Sequence, residues 1–211
     1  MSDETLIQGS DEWLAARCGK VTASRIADVM VRTRSGYGAG RANYMAQLVA
    51  ERLTGCPSAS FSNAAMLWGI ETEPEARKAY IAESLNDVVE VGFINHPEIE
   101  NAGASPDGLV NDDGLVEIKC PNTATHINTL LAGTVKDCYV KQMMWQMVCT
   151  GRQWCDFVSF DPRMPDDLQY FCKRFEWDTD LIVSIQKEVV IFLGELDEKI
   201  KALESLRDGK V

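Results

Sequence analysis

The fold turns on one stretch, Ser105-Pro106-Asp107-Gly108-Leu109-Val110-Asn111-Asp112-Asp113-Gly114-Leu115-Val116-Glu117-Ile118-Lys119. Leu109-Val110 and Leu115 to Lys119 flank Asn111-Asp112-Asp113-Gly114, the pattern of two strands joined by a tight turn. On a strand, residues i and i+2 share a face. Glu117 and Lys119 therefore point the same way, and Ile118 points into the core. A carboxylate and an ammonium are rarely fully buried, so their face is expected to open into a cleft. Asp107 sits ten residues before Glu117, across the hairpin. A regular four-residue loop would pair Val110 with Leu115 and set Asp107 opposite Ile118, on the wrong face. An odd-length loop or a bulge at Gly114 brings Asp107 to the Glu117 face. Alternatively, Asp107 lies just outside the ladder, in the Pro-Asp-Gly turn.

Outward from the hairpin, Val88 to Ile94 reads as a further strand, bounded by Asn86 and Asn95-His96-Pro97. Trp154 to Phe160 and Leu168 to Trp177 read as two more. Helices are expected at Trp13–Ala16, from a Thr22 cap to Val31, at Ala42–Leu53, Ala64–Ser84 and Val135–Cys149. A long C-terminal helix carries Ile182, Ile185, Val189, Phe192, Leu196, Ile200 and Leu203 on one face. Arg32 to Gly40 reads as a mobile loop. The order implies a single α/β domain over residues 1–211, a small mixed sheet flanked by helices.

Composition narrows the chemistry. Hydrophobic residues make up 45% and charged residues 25%, as in a globular domain. No run is apolar enough to span a bilayer, and Met1-Ser2-Asp3-Glu4 lacks a signal-peptide pattern, so a cytoplasmic protein is expected. The seven cysteines form no Cys-x-x-Cys pair; Cys149, Cys155 and Cys172 lie in apolar stretches and read as buried thiols. With only two histidines, His96 and His126, a His-rich zinc hydrolase is excluded. A catalytic metal held by oxygen ligands points to Mg2+ or Mn2+. The net charge is −11, yet between Trp13 and Arg52 the cations Arg17, Lys20, Arg25, Arg32, Arg34, Arg41 and Arg52 stand against only Asp28 and Glu51. Either they form a basic face for an anionic partner, or they are a solvated helix pair.

Asp107, Glu117 and Lys119 suit phosphodiester hydrolysis. Two carboxylates can hold divalent ions that neutralise the phosphate, activate water and stabilise the leaving oxygen. Lys119 then stands beside the attacking water. Its ordinary pKa near 10.4 leaves two roles open, a neutral base or a charged stabiliser. The bland alternative is a surface turn followed by a Glu–Lys strand pair.

Pro106-Asp107 followed by Glu117-x-Lys119 resembles the signature of the restriction-endonuclease-like superfamily. The wider chain resembles the phage lambda exonuclease family of viral recombination nucleases. The motifs are Trp13-x-x-x-Arg17-x-Gly19-x-x-Thr22-Ala23-Ser24, Trp68-Gly69-x-x-x-Glu73, Ser105-Pro106-Asp107-Gly108 and Glu117-Ile118-Lys119-Cys120-Pro121. Tyr139-x-x-Gln142-x-x-x-Gln146-Met147 and Asp161-Pro162-Arg163-Met164 follow in order. The resemblance implies a restriction-endonuclease-like core. It also implies a Mg2+-dependent 5′→3′ exonuclease that degrades one strand of linear double-stranded DNA to mononucleotides. A 3′ single strand would be left for recombination by annealing. Asp107, Glu117 and the Ile118 carbonyl would bind the metal, with Glu73 as a further carboxylate. Lys119 would serve the attacking water, and Gln142 would position water or Lys119. Arg17, Ser24 and Ser105 would hold a 5′-phosphate, and Arg34 would contact DNA near its end. A homotrimeric ring and a single-strand annealing partner are also implied. A restriction-like endonuclease and a non-catalytic DNA-end-binding module remain as alternatives. One departure stands out: Asn122 to His126 lacks the arginine that some members carry after the Lys-Cys-Pro turn. The missing contact then falls to His126 or to another arginine.

Overall fold

The computed structural model describes residues 6–34, 36–58 and 64–209; residues 1–4 and Ser35, read above as a leaderless start and as part of the arginine loop, lie outside them. The N-terminal half holds α1 (Asp11–Arg17), β1 (Val21–Thr22), α2 (Ile26–Met30), β2 (Arg32–Thr33), β3 (Gly36–Tyr37), α3 (Ala39–Thr54) and α4 (Ala64–Ser84). Six short strands or strand pieces follow the helices in the centre of the chain: β4 (Val88–Val89), β5 (Ile94–Asn95), β6 (Ala102–Ala104), β7 (Gly108–Val110) and β8 (Gly114–Lys119), then β9 (Trp154–Phe160) after α5 (Thr123–Ala132) and α6 (Asp137–Thr150). β10 (Tyr170–Glu176) and α7 (Thr179–Asp208) complete the chain.

The central sheet runs β10-β9-β8-β7-β4. Only the β8–β9 pair is parallel, and the other pairs are antiparallel. Parallel neighbours need a crossover, here α5 and α6. All seven residues of β9 are buried, because helices cover both sheet faces. Leu115, Cys155 and Phe157 join the core formed with α2, α3, α6 and α7. Val110, Val116, Ile118, Val158 and Phe160 pack on the other side with Ala76 and Tyr80 of α4. This is the expected α/β core with a small mixed sheet flanked by helices.

The hairpin has the expected irregularity. Val110 pairs with Gly114 and Leu109 with Leu115, leaving a three-residue loop. A Cβ on Gly114 would collide with the Trp154 indole on the adjacent strand, so close strand packing requires glycine there. Extending the register sets Asp107, just beyond β7, opposite Glu117.

Several elements differ from expectation. Val88 to Ile94 is two strand pieces in different sheets: β4 pairs with β7, and β5 with β6. Between them the backbone of Leu6 crosses against Gly92, where a Cβ would clash. Thr22 does not cap a helix through its side chain; a 3-10 turn at Ala23–Arg25 separates it from α2. Within the expected loop, Arg32–Thr33 and Gly36–Tyr37 pair as antiparallel strands. Arg32 and Tyr37 both bond Glu188 of α7, at 2.6 and 2.8 Å. α5 was not expected; Asn122 starts it by accepting from the Thr125 N–H at 2.9 Å. Leu168 lies in a 3-10 turn before β10. Leu203 is 40% exposed, so the α7 stripe leaves the core before that residue. Cys149 and Cys155 are buried as expected, but Cys172 is exposed, on edge strand β10.

Four of the seven N-terminal cations are engaged in ion pairs rather than left as one basic face or a solvated helix pair. Arg32, Arg41 and Arg52 pair with Glu188, Glu195 and Asp197 of α7, and Arg25 pairs with Asp28. The basic and acidic ends of the sequence neutralise one another along the seam of α7. No helix among the described residues is long and apolar enough to cross a membrane.

Candidate active site

Glu117 is fully buried, so its face of β8 is roofed by α6 rather than open as expected. One carboxylate oxygen accepts from Gln142 Nε2 at 2.7 Å and the other from Gln146 Nε2 at 2.6 Å. Gln142 and Gln146 are one helical turn apart, so both amides project from one face of α6. Lys119 also pairs with Glu117, and its side chain keeps 29% exposure. The cleft therefore opens at Lys119, beside a small pocket lined by Pro121, Thr125, Lys136 and Tyr139.

Asp107 Oδ2 accepts from the Ile118 N–H at 2.7 Å. Because β7 has ended, that carboxylate takes the place of a strand partner. In a strand the N–H and C=O of one residue leave the same edge, so the Ile118 carbonyl is turned towards Asp107 as well. The Ile118 side chain is buried on the α4 side. Burial and then the Glu117 charge push the Asp107 carboxyl well above its ordinary range. Burial alone would depress the Lys119 ammonium, but Glu117 and Asp107 outweigh it and raise its pKa.

Glu73 belongs to α4, which runs unbroken through Pro74 although proline removes a helical N–H. Its carboxylate pairs with Arg77 at 2.5 Å. Burial raises its pKa, with the charges of Arg77, Lys119 and Glu117 all felt there. Glu73 thus borders the cluster but is turned to its own helix. Among the described residues no three His, Cys, Asp or Glu side chains form a ready-made metal cage. The donor set that fits a divalent ion is smaller: the Asp107 and Glu117 carboxylates and the Ile118 carbonyl. All are hard oxygen donors, and the repulsion between two adjacent buried carboxylates is what a cation relieves.

A second cluster adjoins the first. β1 pairs in parallel with β6, Val21 with Ala102 and Thr22 with Gly103. This pairing, absent from the sequence reading, sets the Arg17–Ser24 segment beside Ser105 and Asp107. The Arg17 guanidinium lies 4.1 Å from the Trp13 ring centroid and 3.5 Å from Thr22 Oγ1. Trp13 Nε1 donates to Ser105 Oγ at 2.9 Å. One indole thus touches both Arg17 and Ser105. The Gln8 amide donates to the Pro106 carbonyl at 2.9 Å and steadies the residue before Asp107. Ser24 is exposed in the 3-10 turn next to Thr22. Arg34 is exposed beyond β2, and no contact among the described residues ties it to the cluster. His126 is fully buried, with Ser159 Oγ 2.8 Å from Nδ1 and the Leu168 carbonyl 2.9 Å from Nε2. Both ring nitrogens are engaged, so His126 does not replace the missing arginine.

Residues 12–153 match the YqaJ-like viral recombinase domain. The chain belongs to that family. An alkaline exonuclease from Laribacter hongkongensis is 55% identical, with a TM-score of 0.90 over 96% of this chain and 100% of that one. The structure of that exonuclease in complex with dAMP is 56% identical, with a TM-score of 0.91 over the same shares. A phage-related exonuclease from Haemophilus somnus 129PT shares the fold at 17% identity, with a TM-score of 0.69 over 87% of this chain and 96% of that one. Comparison with curated proteins finds no match. The expected kinship with lambda-type exonucleases is thereby established, and the chain is an exonuclease. Trp13 and Gln8 were not among its expected site residues, and Gln146 was expected beside Gln142 in a polar cleft but without a role of its own. The four-residue spacing of Gln142 and Gln146 was the signal for the last, whereas Trp13 depends on a distant strand pairing.

Proposed function

We propose that this exonuclease degrades one strand of linear double-stranded DNA in the 5′→3′ direction. It starts at a 5′-phosphorylated end, releases mononucleotides and leaves 3′ single-stranded DNA for recombination by strand annealing. The observation that carries the reading is the adjacency of the Asp107–Glu117–Lys119 cluster and the Arg17–Ser105 pair joined through Trp13. Arg17, a cation without a carboxylate partner among the described residues, and the Ser105 hydroxyl suit a terminal phosphate, with Ser24 and Arg34 as further DNA contacts.

Mg2+, with Mn2+ able to substitute, is the proposed cofactor, held by Asp107, Glu117 and the Ile118 carbonyl, with Glu73 able to join by leaving Arg77. The ion supplies charge neutralisation and water activation at the scissile phosphate. Gln142 and Gln146 hold the Glu117 carboxylate in one orientation. Lys119, as an ammonium, orients the attacking water and offsets charge on the phosphate. The water oxygen bonds to phosphorus, and the 3′ oxygen of the terminal nucleotide leaves and takes up a proton. That nucleotide departs with its own 5′-phosphate, and the strand left behind carries a new one.

The whole chain acts as one nuclease domain in a homotrimeric ring, in a bacterial host's cytoplasm, beside a single-strand annealing protein. The decisive test follows products from linear and closed circular duplexes with Mg2+, with and without 5′-phosphates, for the wild type and Lys119→Ala. Mononucleotides from phosphorylated linear DNA, lost in the variant, are expected. Cleavage of the circle would establish a restriction-like endonuclease instead. DNA binding with no hydrolysis in either metal would leave an end-binding module. Sedimentation at three times the 23.5 kDa chain mass tests the ring.

A further inference from the structure

The proposed reaction leaves the Asp161-Pro162-Arg163-Met164 motif unused, although the structure brings it to the active-site turn. Arg163 Nη2 donates to the Pro121 carbonyl at 3.1 Å, two residues beyond Lys119. The same guanidinium makes a two-pronged pair with the buried Asp161, Nε to Oδ1 at 2.7 Å and Nη2 to Oδ2 at 3.0 Å. Its carbon lies 4.2 Å from the centroid of the Trp68 ring. The turn beneath is fixed: Asp161 Oδ1 accepts from the Arg163 N–H at 3.0 Å, and the Gln169 amide donates to the Met164 carbonyl at 2.9 Å. Three side-chain bonds and one covered face hold the guanidinium in a single plane. Yet 44% of the side chain is exposed. Trp68 belongs to α4, the helix that also carries Glu73.

We propose that the Arg163 guanidinium, mounted on Trp68, is a stacking platform for an unpaired nucleobase of the strand entering the active site. The chemistry separates a base from a phosphate. Asp161 cancels the charge of Arg163 and occupies its best-directed donors, so little attraction remains for a phosphate. A flat, weakly hydrated face remains, and arginine planes and indoles stack on bases of any sequence. An enzyme that proceeds along DNA needs such sequence-tolerant contacts. A planar group locked in advance also loses little conformational freedom when a base arrives.

The proposal rests on the DNA-exonuclease reading, and its test keeps the two separable. Linear 5′-phosphorylated duplexes carrying one abasic residue at successive positions from the end are digested by the wild type and Arg163→Lys. Lysine keeps the charge opposite Asp161 but loses the plane. At one position the abasic residue is expected to lower wild-type kcat/KM by about fivefold or more, with Arg163→Lys insensitive there. Equal sensitivity of both proteins at every position would overturn the platform, as would a wild type indifferent to all positions. A readout without hydrolysis uses 2-aminopurine at each position with EDTA present. Quenching by the wild type, lost in Arg163→Lys at unchanged Tm, supports stacking even if digestion fails. Unchanged quenching in the variant overturns it. Failure of unmodified linear DNA to be digested would count against the exonuclease reading alone.

Discussion

Glu117 is the most constrained side chain of the proposed active site, because burial forces its lone pairs to find partners. Gln146 supplies one of its two amide bonds from a fully buried position. Gln146→Met, close in volume but without the donor, should cost about 1–3 kcal/mol of stability, read by denaturant unfolding. Its activity should fall more than its KM changes, since the carboxylate loses its fixed orientation. Trp13 has a different part, touching Arg17 with its face and Ser105 with its N–H. Trp13→Phe keeps the face and removes the donor. The expected result is a higher KM for 5′-phosphorylated ends and a weaker preference over 5′-hydroxyl ends, with kcat nearly unchanged. An unaltered preference would show that the indole is only packing. Asp107, Glu117 and Lys119 were legible in the sequence because alternation and hairpin geometry are local. The union of Arg17 with Ser105 came only from the family resemblance, because it rests on contacts between residues 92 apart in the chain.

Among the elements, those with a clear period were legible and the short ones were not. β9 runs over Trp154–Phe160 as read, and the buried face of α7 follows its apolar stripe as far as Leu196. β1 and β6 have two and three residues, too few for any alternation to show. α5 was hidden by its threonines, which disfavour helix on propensity, and by a cap that acts only once the helix exists. α3 depends on a carboxylate: Glu51 accepts from the Gly19 N–H at 2.7 Å and from Gln47 Nε2 at 2.9 Å. Burial alone would raise the Glu51 pKa, but these bonds and those from Ser58 outweigh it and hold it below the ordinary value. A depressed carboxyl stabilises the fold above its unfolded-state pKa, and that contribution is lost as pH falls through the folded-state value. Glu51→Gln should therefore be less stable than the wild type at neutral pH. The difference should shrink below the ordinary glutamate range, as followed by urea melts across pH. In the sheet, Gly114→Ala drives a methyl into Trp154 and should cost about 1–3 kcal/mol, visible as a lower Tm.

Across the whole molecule, a net charge of −11 looks hostile to a nucleic acid. The arginine pairs along α7 change that picture. Three of the seven acids on this helix pair with cations of the same chain, while Arg17 has no carboxylate partner among the described residues. Arg41 is 3% exposed and depends on Glu195 for its charge partner. Glu195→Ala should cost about 1–3 kcal/mol, the usual penalty for an under-bonded buried polar group. Arg41 would keep its bond to the Val29 carbonyl at 3.1 Å. Thermal unfolding at low and high salt measures both the cost and its screening.

The same seam has a consequence for synthesis. A ribosome makes Arg41 long before its partner, for Glu195 follows 154 residues later. α7 also brings Ile182, Ile185, Val189, Phe192 and Leu196 to a core that α2, α3 and α6 cannot close alone. A nascent chain therefore carries every proposed catalytic group by Gln142, yet lacks the layer that holds them in place. Stopping synthesis short of α7 should yield a polypeptide that cannot cut, so nuclease activity appears only once that last layer has been made.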